Sequence, residues 1–312
     1  MIKGHQRQIR ILKGTIRKNR VPSTLLFSGD SGIGKRTTAM VYFQALNCLE
    51  RHDGDACGTC ISCRKISRGI HPDLLLIQPE RGEIRIEMIR SIEEFLSMKP
   101  FESHKKVVLI DDAETMNISA ANAFLKTLEE PPAESVIILV STNADNLLDT
   151  IKSRCFHVRF SPLPHTAYRE VLETAGMSEI DNATMNLTMG RPGLAITGSC
   201  AVDMQRCIDL YRAMMRGESK DLWENREDML QWLAQAPVLF RDLSVLAGDT
   251  GRPLVFQTAK GVIPFESAIR QYQAIQQVIR YAGLNLNKGI TWQYVSEIVR
   301  NGQMGTKSRE AE

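Results

Sequence analysis

The sequence predicts an α/β fold with a parallel core followed by a helical region, and three observations predict it. Four short apolar runs rich in branched residues occupy the first half, at 24–28, 74–77, 107–110 and 136–140. Runs this short and continuous suit strands covered on both faces, as in a parallel sheet. Helix-like stretches, such as 87–95 and 119–129, alternate with them, which is the order of βαβ units. Beyond Phe160 the chain is punctuated by Pro162 and Pro164, and the remainder is helical without a clear strand run.

Each element has its own signal. Ile9, Leu12 and Ile16 recur at helical spacing ahead of Pro22, which predicts an amphipathic first helix. The organisation read from these patterns is an α/β domain over 1–162, a small helical domain over 163–202, a larger helical domain over 203–301 and a polar, disordered tail over 302–312. The larger domain includes helical stretches at 223–246 and 263–281. Of the 312 residues, 43% are hydrophobic and 24% charged, as in a soluble globular protein. No apolar run approaches the roughly 18–20 residues of a membrane span. No signal-peptide core follows Met1, so no membrane partner and a cytoplasmic location are expected. A net charge of +3 is too mild to argue for nucleic acid by itself.

Gly29-Asp30-Ser31-Gly32-Ile33-Gly34-Lys35 follows the first apolar run directly and matches G-x-x-x-x-G-K, the strand–loop–helix phosphate cradle. The glycines let backbone N–H groups turn inward, the following helix adds its positive end, and Lys35 adds a point charge. The next position ordinarily carries the Ser or Thr whose hydroxyl ligates magnesium; here it is Arg36. Thr37 comes one residue late, about 100° further round the helix, and should not point at a metal. The loop is expected to keep its cradle for phosphate, as ATP or ADP, while magnesium binding and therefore hydrolysis are in doubt. The run 107–110 ends in Asp111-Asp112. In P-loop NTPases the first such carboxylate helps hold Mg²⁺. The second is usually Glu in the AAA+ class, and Asp112 is one methylene shorter. A base displaced by about 1.5 Å loses rate steeply.

Cys48, Cys57, Cys60 and Cys63 are spaced C-x8-C-x2-C-x2-C. Four thiolates at such intervals can close tetrahedrally around one Zn²⁺, leaving no position for water, so the site would be structural. The alternative is four reduced thiols. His71 is not needed as a further ligand and is read as part of a turn with Pro72 and Asp73. Cys155, Cys200 and Cys207 are scattered and read as packing residues.

Together these features resemble the clamp-loader subunits of bacterial DNA polymerase III. The resemblance is carried by the four-cysteine insertion, by the helix and proline stop Ala120-Ala121-Asn122-Ala123-Phe124-Leu125-Lys126-Thr127-Leu128-Glu129-Glu130-Pro131-Pro132, and by Ser153-Arg154-Cys155. It implies an AAA+ P-loop domain with a helical lid and an all-α collar that oligomerises. It implies that Arg154 is an arginine finger reaching a neighbour's nucleotide, and that Thr142 falls at the first sensor. The family's second sensor is an Arg in a G-S-x-R lid motif, whereas Gly190-Arg191-Pro192-Gly193 places a glycine there. Implied partners are the gamma/tau and delta subunits, with the sliding clamp and primer-template DNA reached through the assembly. Three functions are weighed. The first is a non-motor stator donating Arg154. The second is a gamma/tau-type motor using Lys35 and Asp111. The third is a zinc-bearing nucleic-acid-binding module, against which few basic or aromatic residues surround the cysteines.

Overall fold

The computed structural model describes residues 2–177, 185, 188–198, 204–218, 222–248, 264–281 and 286–301. Cys200 and the tail 302–312 lie outside the described residues. The chain divides into two compact units. One comprises Met1–Ser178 with Gly190–Ile196, the other Glu179–Met189 with Thr197–Glu312. The boundary thus runs through the segment 163–202 rather than along its ends.

The first unit is a five-stranded parallel sheet of order β2-β3-β4-β1-β5, formed by β1 (Thr24–Ser28), β2 (Leu74–Ile77), β3 (Lys106–Ile110), β4 (Ser135–Ser141) and β5 (Phe156–Arg159). Four of these are the apolar runs. The three inner strands are buried along their whole length, as continuous apolar sequence requires. β5 is an additional strand that the apolar pattern does not predict. It is a four-residue edge strand with only Val158 buried, so its sequence carries no apolar run.

Helices cover both faces. α1 (Gln6–Arg17), α2 (Lys35–Asn47) and α3 (Ile61–Ser67) lie on one face with Leu25, Phe27, Ile138 and Val140. α4 (Ile86–Ser97), α5 (Ile118–Glu129) and α6 (Asp149–Lys152) lie on the other with Leu26, Ile137 and Leu139. The alternation of β1 between faces follows from the period of two in a strand. α5 starts where the Asn117 side chain accepts from the Ala120 N–H at 2.8 Å, and it stops before Pro131 and Pro132. α7 (His165–Thr174) and the short α8 (Pro192–Ile196) complete the unit.

In the second unit α9 (Met204–Arg216), α10 (Arg226–Gly248), α11 (Phe265–Arg280) and α12 (Lys288–Asn301) share a core of their own. At its centre Trp223 meets Trp292 edge-on at 5.1 Å and Trp232 at 5.8 Å. Among the described residues no helix is long and apolar enough to cross a membrane.

Candidate nucleotide site and cysteine centre

The phosphate loop leaves the end of the inner strand β1 and enters α2. Two of its glycines are required by the packing. Gly29 has φ 144°, and a Cβ there would meet the Phe160 carbonyl oxygen at 2.4 Å. Gly32 has φ 77°, and a Cβ there would meet Leu194 of α8 at 2.9 Å. Gly34, at φ 97°, caps α2. The Gly193 N–H donates to the Gly32 carbonyl at 2.8 Å, so α8 sits directly on the loop. A Cβ on Gly193 would lie 2.8 Å from that carbonyl oxygen, so the position expected to carry the lid arginine has no room for a side chain.

The loop's charges are engaged within the chain. Lys35 is buried and its Nζ donates to the carbonyls of Gly29 at 2.6 Å and Asp30 at 2.7 Å. Burial lowers its pKa, against the carboxylates of Glu114, Asp111, Asp112 and Asp30. Arg36 donates from Nη1 to Asp111 Oδ2 at 3.2 Å. A guanidinium thus stands against the carboxylate that in P-loop NTPases faces the metal. Thr37 is exposed, and the buried threonine is Thr38, whose hydroxyl bonds the Gly34 carbonyl at 2.9 Å. Asp112 follows in left-handed backbone, φ 48°. Burial raises its pKa, with Asp111 and Glu114 adding to the rise.

Glu114 is the residue that sequence reasoning missed. Its Oε1 accepts from the Thr142 N–H at 2.8 Å, from the Thr142 hydroxyl and from the Asn143 N–H at 3.3 Å. Thr142, expected at the first sensor, is therefore bonded to an in-chain carboxylate. The available signal was a third acid within four residues of Asp111.

The four cysteines converge. Sγ atoms of Cys48, Cys57, Cys60 and Cys63 lie within 4.8 Å of one another, and Cys48 and Cys60 are 4.0 Å apart. A zinc ion about 2.3 Å from four sulfurs spaces them by about 3.8 Å, so the set fits a tetrahedral Zn²⁺. Backbone N–H groups already point at the sulfurs: Cys57 at Cys48 Sγ, 3.2 Å; Cys60 at Cys57 Sγ, 3.3 Å; Cys63 at Cys60 Sγ, 3.5 Å. The Cys60 N–H holds the Cys57 thiol down to about 6, while burial pushes Cys48 and Cys63 up. The module is tied to α1 by ion pairs Lys13–Asp55 and Arg17–Asp53. His71 is buried outside the cluster. Its Nδ1 accepts from the Asp73 N–H at 3.1 Å, and Nε2 lies 3.4 Å from Ser62 Oγ and Glu102 Oε1. Asp73, fully buried, accepts from the N–H groups of Phe101, Glu102 and Ser103 and from the Ser103 hydroxyl. Cys155 and Cys207 stand apart, each thiol pushed by burial to about 12.

Arg154 lies at the turn between α6 and β5, away from the loop in sequence. Its guanidinium bonds Glu129 and the Thr150 carbonyl.

A phosphate loop after β1 of a parallel sheet, with paired carboxylates at the end of β3 on the far side of β4, defines the P-loop class of α/β nucleotide folds. Within that class the family model described as "DNA polymerase III, delta subunit" matches residues 4–164, and the chain belongs to that family. A Bacillus subtilis protein named DNA polymerase III subunit delta' is 37% identical over 166 residues, 53% of this chain and 50% of that one. The Pseudomonas aeruginosa protein of the same name is 41% identical over 217 residues, 68% of this chain and 63% of that one. A Haemophilus influenzae subunit tau/gamma is 33% identical over 163 residues, 52% of this chain and 24% of that one. This chain therefore spans less than two thirds of the length of these relatives.

Proposed function

We propose that this chain is a non-motor, delta'-type subunit of a DNA polymerase III clamp loader, and that Arg154 serves as an arginine finger at a neighbouring subunit's ATP. The observation that carries this reading is the Arg36–Asp111 ion pair. A guanidinium at the metal's carboxylate supplies the positive charge from within the chain, where a hydrolytic site needs Mg²⁺. The Glu114 bonds to Thr142 and the close seat of Gly193 on Gly32 add to it. The loop would keep the fold and could hold the phosphates of ATP or ADP through its backbone N–H groups and Lys35, without turning them over. Zinc, bound by the four thiolates, would supply only structural cross-linking. Partners on this reading are gamma/tau and delta subunits, with clamp and primer-template DNA met through the assembly, in the cytoplasm. Residues 163–202 would act as a lid and 203–301 as a collar. Arg154→Ala in the reconstituted assembly should abolish most ATPase while the complex still forms; full ATPase in that variant would sink the reading.

A second reading, a gamma/tau-type motor, is favoured by the presence of Lys35 after the β1 loop together with Asp111 and Asp112 at the end of β3. It requires magnesium-dependent turnover by the isolated chain, abolished by Lys35→Ala.

A further inference from the structure

Arg154 does not hang free at the surface. Its carbonyl accepts from Thr24 Oγ1 at 2.5 Å, which pins the turn to β1. Nη1 donates to the Thr150 carbonyl at 2.9 Å, and Nη2 donates to Glu129 Oε1 at 2.6 Å. Glu129 is the last residue of α5 and lies 25 positions earlier in the chain. Glu130 caps the helix after it, and Pro131 and Pro132 follow.

A guanidinium carries five N–H donors in one plane. Thr150 and Glu129 take two of them, and a longer contact from Nη1 reaches Ser153 Oγ at 3.5 Å. The Arg154 side chain remains 35% exposed and its partner 52%. An ion pair so exposed contributes little to folding stability. What it does contribute is direction. Two acceptors at different angles fix the plane of a side chain that otherwise samples many rotamers, and they leave the remaining donors for an incoming anion.

We infer that Glu129 is a positioning residue for the Arg154 finger, setting its guanidinium plane through the Nη2–Oε1 bond; this rests on the in-trans reading of Arg154. Because the bond lies at the end of α5, the finger's direction is tied to that helix. A misplacement of about 1 Å in a reacting group can cost roughly a hundredfold in rate.

The test uses the assembly reconstituted with gamma/tau and delta subunits and measures steady-state ATPase over a range of ATP concentrations. Glu129→Ala should lower kcat about tenfold with KM for ATP unchanged, because Glu129 touches the finger and not the nucleotide. Glu129→Gln keeps an Oε1 acceptor and should stay within about threefold of the parent. Glu129→Asp, with the charge kept but drawn back, should fall between them. Arg154→Ala with Glu129→Ala should be no slower than Arg154→Ala alone, the non-additivity of groups acting as a unit. If Glu129→Ala runs at the full or a higher rate while Arg154→Ala is slow, the positioning role is overturned and the finger stands. If Arg154→Ala itself runs at the full rate, the in-trans reading falls. Should Glu129→Ala not assemble, the contrast of Glu129→Gln with Glu129→Asp decides the matter.

Discussion

The phosphate loop and the Arg154 turn belong to the same sheet and treat charge in opposite ways. At the loop every cation is answered from within: Lys35 by two carbonyls and Arg36 by Asp111, with the Thr142 hydroxyl answered likewise by Glu114. At the turn one guanidinium is held at two corners and left partly open. The difference teaches that a phosphate-binding motif can be intact in sequence while its charges are already spent. A lone arginine in a turn can, conversely, be the group kept available. On the proposed reading, a site of the first kind binds metal poorly and turns nothing over, and one of the second kind serves another subunit's reaction.

The sharpest way to break this comparison is to alter the geometry of the open guanidinium without removing its charge. Arg154→Lys keeps a cation but loses the planar fork, and should cost the reconstituted assembly about a hundredfold or more in ATPase. Near-normal rates would mean that only a diffuse positive field is needed there.

Next comes the cysteine centre, which acts on stability. Structural zinc sites contribute folding free energy outright. On the four-thiolate reading, Cys63→Ser should abolish zinc binding, measured by metal analysis, and lower the thermal midpoint by several degrees while ATPase per assembled complex is retained. A variant holding one zinc per chain would overturn the four-thiolate assignment.

A smaller effect is expected at Asp73. Burial alone would raise its pKa, but the N–H groups of Phe101, Glu102 and Ser103 and the Ser103 hydroxyl hold it below the usual carboxylate range. Its contribution is therefore fully present above about pH 4, the ordinary carboxylate value, and is lost as pH falls through the depressed folded value. Asp73→Ala removes a buried carboxylate that accepts from three backbone N–H groups and a hydroxyl, and should destabilise by roughly 2 kcal/mol. The parent's advantage over the variant in chemical unfolding should shrink below about pH 4, and an advantage independent of pH would contradict the assignment.

The smallest change in stability is expected from Arg36→Ser, since exposed pairs contribute about 0–1 kcal/mol. Its value is in sharpening the contrast. The substitution frees Asp111 and restores a hydroxyl, so nucleotide binding measured by calorimetry should become stronger with Mg²⁺ than with chelator. If magnesium makes no difference in that variant, the guanidinium is not what excludes the metal.

Much of this was legible in the sequence, for reasons that particular residues make plain. The inner strands are apolar along their length because both faces are covered, so β1, β3 and β4 announced themselves. The edge strand β5 did not, since Phe156, His157 and Arg159 are exposed. The cysteines lie within sixteen residues, and their convergence follows from local spacing. The pairings that decide the chemistry join distant positions. Arg36 meets Asp111 across 75 residues, and Arg154 meets Glu129 across 25. Gly193 shows the same limit. Its sequence says only that an arginine is absent, and the packing on Gly32 supplies the reason.

The central claim is that this chain's chemistry is donated outward while its own loop is inert. The most direct test is to compare Lys35→Ala and Arg154→Ala side by side, each in the fully reconstituted clamp-loader assembly, by DNA-stimulated ATPase. The account predicts near-parental turnover for Lys35→Ala and a loss of about a thousandfold at the affected site for Arg154→Ala. Collapse with Lys35→Ala and parental turnover with Arg154→Ala would contradict it.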